Sequence, residues 1–162
     1  GILSLSEKID HPLLWAHYTS AHKGFAIEFD TQHKFFHRRR SDHDELFHLR
    51  KVKYANRSSA GRSLSDIDGD DLLVTKETSW AYENEWRMLV PLKDADSILS
   101  IDGDEIHLYS IPFSTISGII LGARATSSFY EEVKTHLQSL NNLHITIKRT
   151  ILNPTNQSNQ IE

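Results

Sequence analysis

The chain has no cysteine and a single methionine among its 162 residues. Without cysteine it forms no disulfide and offers no thiolate, and zinc would have to be held by histidine and carboxylate alone. No run approaches the ~18 consecutive apolar residues of a membrane-spanning helix, and no basic segment followed by an apolar stretch marks a signal peptide. A glycine-rich phosphate loop, a G-x-S-x-G elbow, an H-E-x-x-H pair, internal repeats and heptads are all missing from the sequence. The formal charge of −4 and the pI near 6.2 argue against a general nucleic-acid binder, which needs a cationic face. What remains is an ordinary globular composition, 38% hydrophobic and 25% charged with mean hydropathy −0.45, expected to be cytoplasmic. There is also no initiating methionine: GILSLSEKID already alternates as a strand over Ile2-Leu3-Ser4-Leu5, which suggests a chain cut from something longer.

Along the chain, Pro12 opens a helix expected to run to a C-cap at Gly24, with Leu14, Ala21 and His17 or Tyr18 on one face. GFAIEFD is a strand whose buried face is Phe25, Ile27 and Phe29. A short helix is expected over Asp42 to Leu49, then a strand with Val52 and Tyr54 on one face. Asn56 to Asp70 has the composition of a mobile loop. Asp71 to about Tyr82 reads as a helix, followed by the strand EWRMLVP, with the junction inside YENE. Asp102-Gly103 marks a hairpin turn, SGIILGA a buried strand, Ser127 or Ser128 the cap of a helix whose stripe is Phe129, Val133, His136 or Leu137, and Leu140, and LHITIKRTIL a closing strand. These elements make an α+β fold: a single domain over 1–153 with a mixed or mainly antiparallel sheet and helices packed on it, and a flexible polar tail over 154–162.

The densest chemistry lies in KETSWAYENEWRMLVP, Lys76 to Pro91. If the chain is extended from Glu83, alternation puts Glu83, Glu85 and Arg87 on one face. Two carboxylates with a guanidinium beyond them divide the labour of a site, one orienting a hydroxyl and the other stabilising a cation or acting as base. The same residues equally make a structural ion pair beside Trp80 and Trp86, which are assigned to packing. Tyr82 carries a hydroxyl able to reach a ligand, and His17 and Tyr18 are ligand-binding candidates on the first helix. His33, His37, Asp42, His43, Asp44 and His48 crowd one segment, but Arg38-Arg39-Arg40 would repel a cation there, so no metal ligand is assigned. The basic Lys34 to Arg40 segment is instead a candidate surface for a protein partner, and its three arginines with Lys34 and Arg50 could meet phosphate, in a nucleotide or nucleic acid.

Trp15-x-His17-Tyr18, His22-Lys23-Gly24-Phe25, Val52-x-Tyr54 and above all Lys76-x3-Trp80-x-Tyr82-Glu83-x-Glu85-Trp86-Arg87 carry a family resemblance. The sequence resembles a bacterial family of unknown function, number 2971 in the domain-of-unknown-function series. Ile111-Pro112, Ile116 and Ile119-Ile120-x-Gly122 are similar to its closing pattern. The resemblance implies that Lys76 belongs with the ligand-binding candidates, that an N-terminal part of the family domain is missing here, and a role in defence against phage. A looser similarity to ADP-ribosyltransferases, through Glu83-x-Glu85, implies NAD as the cofactor. On that analogy Glu85 would stabilise the ribose oxocarbenium, Glu83 orient the acceptor, and His17 or Tyr18 line the nicotinamide pocket. Two alternatives stand beside this toxin-like effector: a non-catalytic binding or assembly module in which the tryptophan-glutamate block is structural, and a metal-dependent nuclease.

Overall fold

The computed structural model describes residues 1–56, 72–140, 144–152 and 159–161. In chain order these contain β1 (Ile2–Ser6), α1 (Pro12–Tyr18), β2 (Phe25–Phe29), β3 (Leu49–Lys51), β4 (Lys53–Ala55), β5 (Thr75–Glu77) and β6 (Glu85–Leu89). There follow β7 (Ser97–Ile101), β8 (Asp104–Leu108), β9 (Ile116–Leu121), α2 (Ser127–Ser139), β10 (Thr146–Leu152) and β11 (Asn159–Ile161). The class is α+β, with mostly antiparallel small sheets. Two compact units emerge, one of Gly1–Lys8 with Gln32–Ile111 and one of Ile9–Thr31 with Pro112–Glu162.

In the first unit β6 lies between β1 and β3, antiparallel to both. Alternation gives this sheet two unlike faces. Leu3, Leu5, Trp86, Met88 and Leu49 share one, and Ser4, Ser6, Glu85, Arg87 and Arg50 share the other. Phe36 and Met88 are fully buried, and Val52, Val74, Leu89 and Val90 are buried as well. The Asp102-Gly103 hairpin forms as expected: both residues have positive φ, 53° and 92°, which the tight turn between β7 and β8 requires. The helix expected over Asp42 to Leu49 is absent. Asp44 instead accepts the Leu46 N–H at 3.0 Å, and Phe47 takes a left-handed φ of 57° that no helix admits. The helix expected over Asp71 to Tyr82 does not run on past Leu73: Leu72 and Leu73 are helical, but Thr75–Glu77 pair in parallel with β4 and Thr78–Glu83 wind as a 3₁₀ turn. The loop expected from Asn56 to Asp70 falls, beyond Asn56, outside the described residues.

The second unit is built on the sheet order β11-β10-β9-β2. Parallel strands need a crossover, and α2 supplies it between β9 and β10. Its N-cap is Thr126, whose Oγ1 accepts the Phe129 N–H at 3.2 Å, one residue ahead of the expected serines. Phe129, Val133 and Leu137 pack with Tyr130 on Ile119, Leu121 and Ile147, whereas Leu140 is exposed. Phe25 and Ile27 register against Leu121 and Ile119 on that face, but at the sheet's edge they are exposed rather than buried. Helix α1 stops at Tyr18, short of Gly24, because Ser20, Ala21 and His22 all adopt positive φ. The tight turn they make sets the His22 carbonyl against Gly122, where a Cβ would collide with it. From the polar tail, Asn159–Ile161 pair antiparallel with β10.

Candidate functional site

The 3₁₀ turn ending at Glu83 is stopped by Asn84, which takes the left-handed conformation (φ 41°, ψ 54°), and β6 starts at Glu85. Extension from Glu83 is therefore not what unites the two glutamates. The partner that does is Lys76, which bonds Glu83 Oε2 and lies 3.1 Å from Glu85 Oε2. Arg87 grips the same Glu85 side-on, Nε to Oε1 at 2.8 Å and Nη2 to Oε2 at 3.1 Å. Its remaining nitrogen, Nη1, donates to the Leu73 carbonyl at 2.6 Å.

Three elements place these side chains: β5 carries Lys76, the 3₁₀ turn carries Glu83, and β6 carries both Glu85 and Arg87. Parallel pairing of β4 with β5 sets Tyr54 beside Lys76, and the Tyr54 hydroxyl accepts the Glu85 N–H at 2.8 Å. Ser6 of β1 donates to the Glu83 carbonyl at 2.6 Å. Both glutamates are buried, 4% exposed for Glu83 and 5% for Glu85, so their charges need internal partners. Two carboxylates, one ammonium and one guanidinium cancel formally. Burial pushes the Glu85 carboxyl up, but hydrogen bonds from Arg87, Ser4 and Lys76 outweigh it and hold the group below its ordinary value. Burial likewise pulls Lys76 down, and its bonds to Glu83 and Glu85 carry it above its ordinary value. Over this quartet the Lys76 ammonium sits 4.9 Å from the Trp80 ring centre, and Tyr82 packs on Trp80 at 6.0 Å. Trp86 turns the other way, its indole N–H donating to Glu7 at 2.7 Å.

His17 and Tyr18 belong to the second unit, exposed on the last turn of α1 with their rings 6.4 Å apart. A depression of about 410 Å³ in the same unit is lined by Ser127, Tyr130, Glu131, Ile147, Lys148 and Arg149, none of them a residue expected at the site. The arginines of the basic segment are engaged locally. Arg38 stacks 4.3 Å from the Phe35 ring centre, Arg39 donates to the Asp44 carbonyl at 2.9 Å, and Arg40 bonds Asp44 Oδ2 at 2.8 Å. Arg40 and the Leu46 N–H hold the Asp44 carboxyl at about 2. Among the described residues, no group of three or more His, Asp or Glu is disposed to hold a metal.

Arg50, which the sequence groups with the basic segment, is placed by β3 directly opposite Arg87 on β6. Its Nη1 bonds Glu45, while Nε and Nη2 are buried with no acceptor among the described residues. Only the strand register could have revealed the juxtaposition.

Residues 14–88 match the family model DUF2971, described as a protein of unknown function. The matched span holds the Trp15, Val52-x-Tyr54 and Lys76 to Arg87 motifs, and with them every residue of the quartet. No curated protein and no solved structure matches the chain. The matched segment thus supplies both the strands that carry the quartet and the turn that folds Glu83 back toward Glu85.

Proposed function

We propose that this DUF2971 segment acts as a non-catalytic binding or assembly module in which the tryptophan-glutamate block is structural. The observation that carries this reading is the closed charge balance of the quartet: both buried carboxylates are taken by Lys76 and Arg87. A general base, or a carboxylate awaiting a developing cation, needs a face turned to substrate. Here Glu85 accepts a side-on guanidinium and an ammonium, the arrangement that fixes a strand to its neighbours. The β7–β8 hairpin supports the assembly half of the reading. Cross-strand pairing puts Leu99, Ile101, Ile106 and Leu108 on one face of the ribbon, and all four are exposed. Replacing Glu85 by Gln tests the proposal. A structural quartet loses stability, whereas a carboxylate kept for chemistry leaves the melting temperature in place.

A further inference from the structure

Strand β10 alternates, so Ile147 and Arg149 lie on the α2 side of the sheet and Lys148 on the other. Ile147 packs with Tyr130 against the core beneath the helix. Arg149 is half-buried, and its Nη2 donates to the Ala125 carbonyl at 3.2 Å. That bond anchors the guanidinium, yet among the described residues no carboxylate meets it. Its Nε and Nη1 have no acceptor there either, and unlike the free edge of Arg50 they keep accessible surface. The room they open into is the depression of about 410 Å³ that Arg149 lines with Ser127, Tyr130, Glu131, Ile147 and Lys148. Such a volume falls in the range of roughly 300–1,000 Å³ of small-molecule sites.

The charges along this lining do not balance. The Lys148 ammonium is held by Glu28 at 2.8 Å, and Glu131 pairs with Lys134 at 3.6 Å, which leaves the guanidinium of Arg149 as the uncompensated charge. Two hydroxyls accompany it. Thr126 rather than Ser127 caps α2, so the Ser127 hydroxyl is left without a partner among the described residues, as is that of Tyr130. We propose that this depression binds a small organic anion, its carboxylate or phosphate on Arg149 and its apolar body along Ile147 and the Tyr130 ring. A guanidinium offers such oxyanions two adjacent donors, and the hydroxyls supply further bonds to the same group. All six residues lie in the second unit and beyond the matched span 14–88. The inference therefore goes beyond the reading of the quartet, and neither outcome for Glu85→Gln decides it.

The test is a titration of the ¹⁵N-labelled full chain with phenyl phosphate and, separately, with benzoate, at ionic strength held constant by sodium chloride and with benzyl alcohol as the uncharged control. Saturable shifts are expected at the amides of Ser127 to Glu131 and Ile147 to Arg149, with those of β1, β3 and β6 unmoved. The tighter of the two probes separates a phosphate from a carboxylate ligand. Arg149→Gln removes the charge and should weaken the apparent affinity roughly tenfold or more. Should that variant not fold, the Arg149 Nε–H resonance of the unmodified chain takes its place and must move along the same saturation curve. No saturable shift with either anion, saturation that maps to other residues, benzyl alcohol binding as tightly as the anions, undiminished affinity in Arg149→Gln, or an Nε–H resonance that stays still would each overturn the proposal.

Discussion

Replacing Glu85 by Gln removes one negative charge from a buried set of two carboxylates, one ammonium and one guanidinium, leaving a net positive charge of one. The loss is more than one contact. Arg87 gives up a side-on pair of bonds at 2.8 and 3.1 Å, and Lys76 one at 3.1 Å. The amide retains an oxygen to accept one of them, but its NH₂ faces a guanidinium that is also a donor. Breaking a buried pair by neutralising one partner costs about 3–5 kcal/mol, and Glu85 at 5% exposure has little solvent to soften that. Against a total stability of about 5–15 kcal/mol this is a large share. At roughly 2–4 °C per kcal/mol for a chain of this size, Tm should fall by about 6–20 °C. Thermal unfolding followed by far-ultraviolet circular dichroism, with a urea titration to obtain the free energy, measures it directly. A variant that melts within about 2 °C of the parent would show that Glu85 is not holding the block together, and the structural reading would fail.

Two further outcomes follow from the same geometry. Because the Glu85 carboxyl is held below its ordinary value of 4.5, its contribution is complete above about pH 4.5 and is lost as pH falls through the lowered folded value. Lys76 is raised above 10.5, so its contribution is complete below about pH 10.5 and disappears as pH climbs through the folded value. Urea midpoints measured across pH should therefore decline at both ends, and Glu85→Gln should flatten the acid decline; an acid limb identical in parent and variant would contradict the assignment. In the second unit, Gly122→Ala would drive a Cβ into the His22 backbone carbonyl, which a tight turn of three left-handed residues holds in place. A loss of several kcal/mol, on the order of 3 or more, is expected in the same urea assay, and a loss under about 1 would show that the turn yields.

Strands announced themselves in the sequence where apolar and polar residues alternate, as in Ile2 to Leu5, EWRML and ITIKRTIL, and in the continuous buried run SGIIL. Pairing and turn chemistry defeated the helix expectations. Leu72, Leu73, Lys76 and Trp80 have helical spacing, yet Thr75–Glu77 gain more by pairing with Lys53–Ala55, a long-range choice that periodicity does not encode. Tyr18 to Gly24 continues a helical pattern only until three residues turn left-handed to bring His22 and Gly24 against Gly122 and Arg124. At the candidate site the convergence of Glu83, Glu85 and Arg87 was legible, but its cause was not. Alternation was expected to align them, whereas Asn84 turns the chain and Lys76, seven residues before Glu83, draws the carboxylates together. Arg50 was legible only as part of the basic segment, since the β3–β6 register alone sets it opposite Arg87.

The central claim, that the quartet is a coupled structural unit, is tested most directly by a double-mutant cycle on Glu85→Met and Arg87→Met. The double variant leaves Lys76 paired with Glu83 and no uncompensated charge, so it should be more stable than the Glu85→Met single, with a coupling energy of about 2–3 kcal/mol. Free energies that add to within about 0.5 kcal/mol would mean that Glu85 and Arg87 stabilise the fold independently of one another, and the account built on their pairing would be wrong.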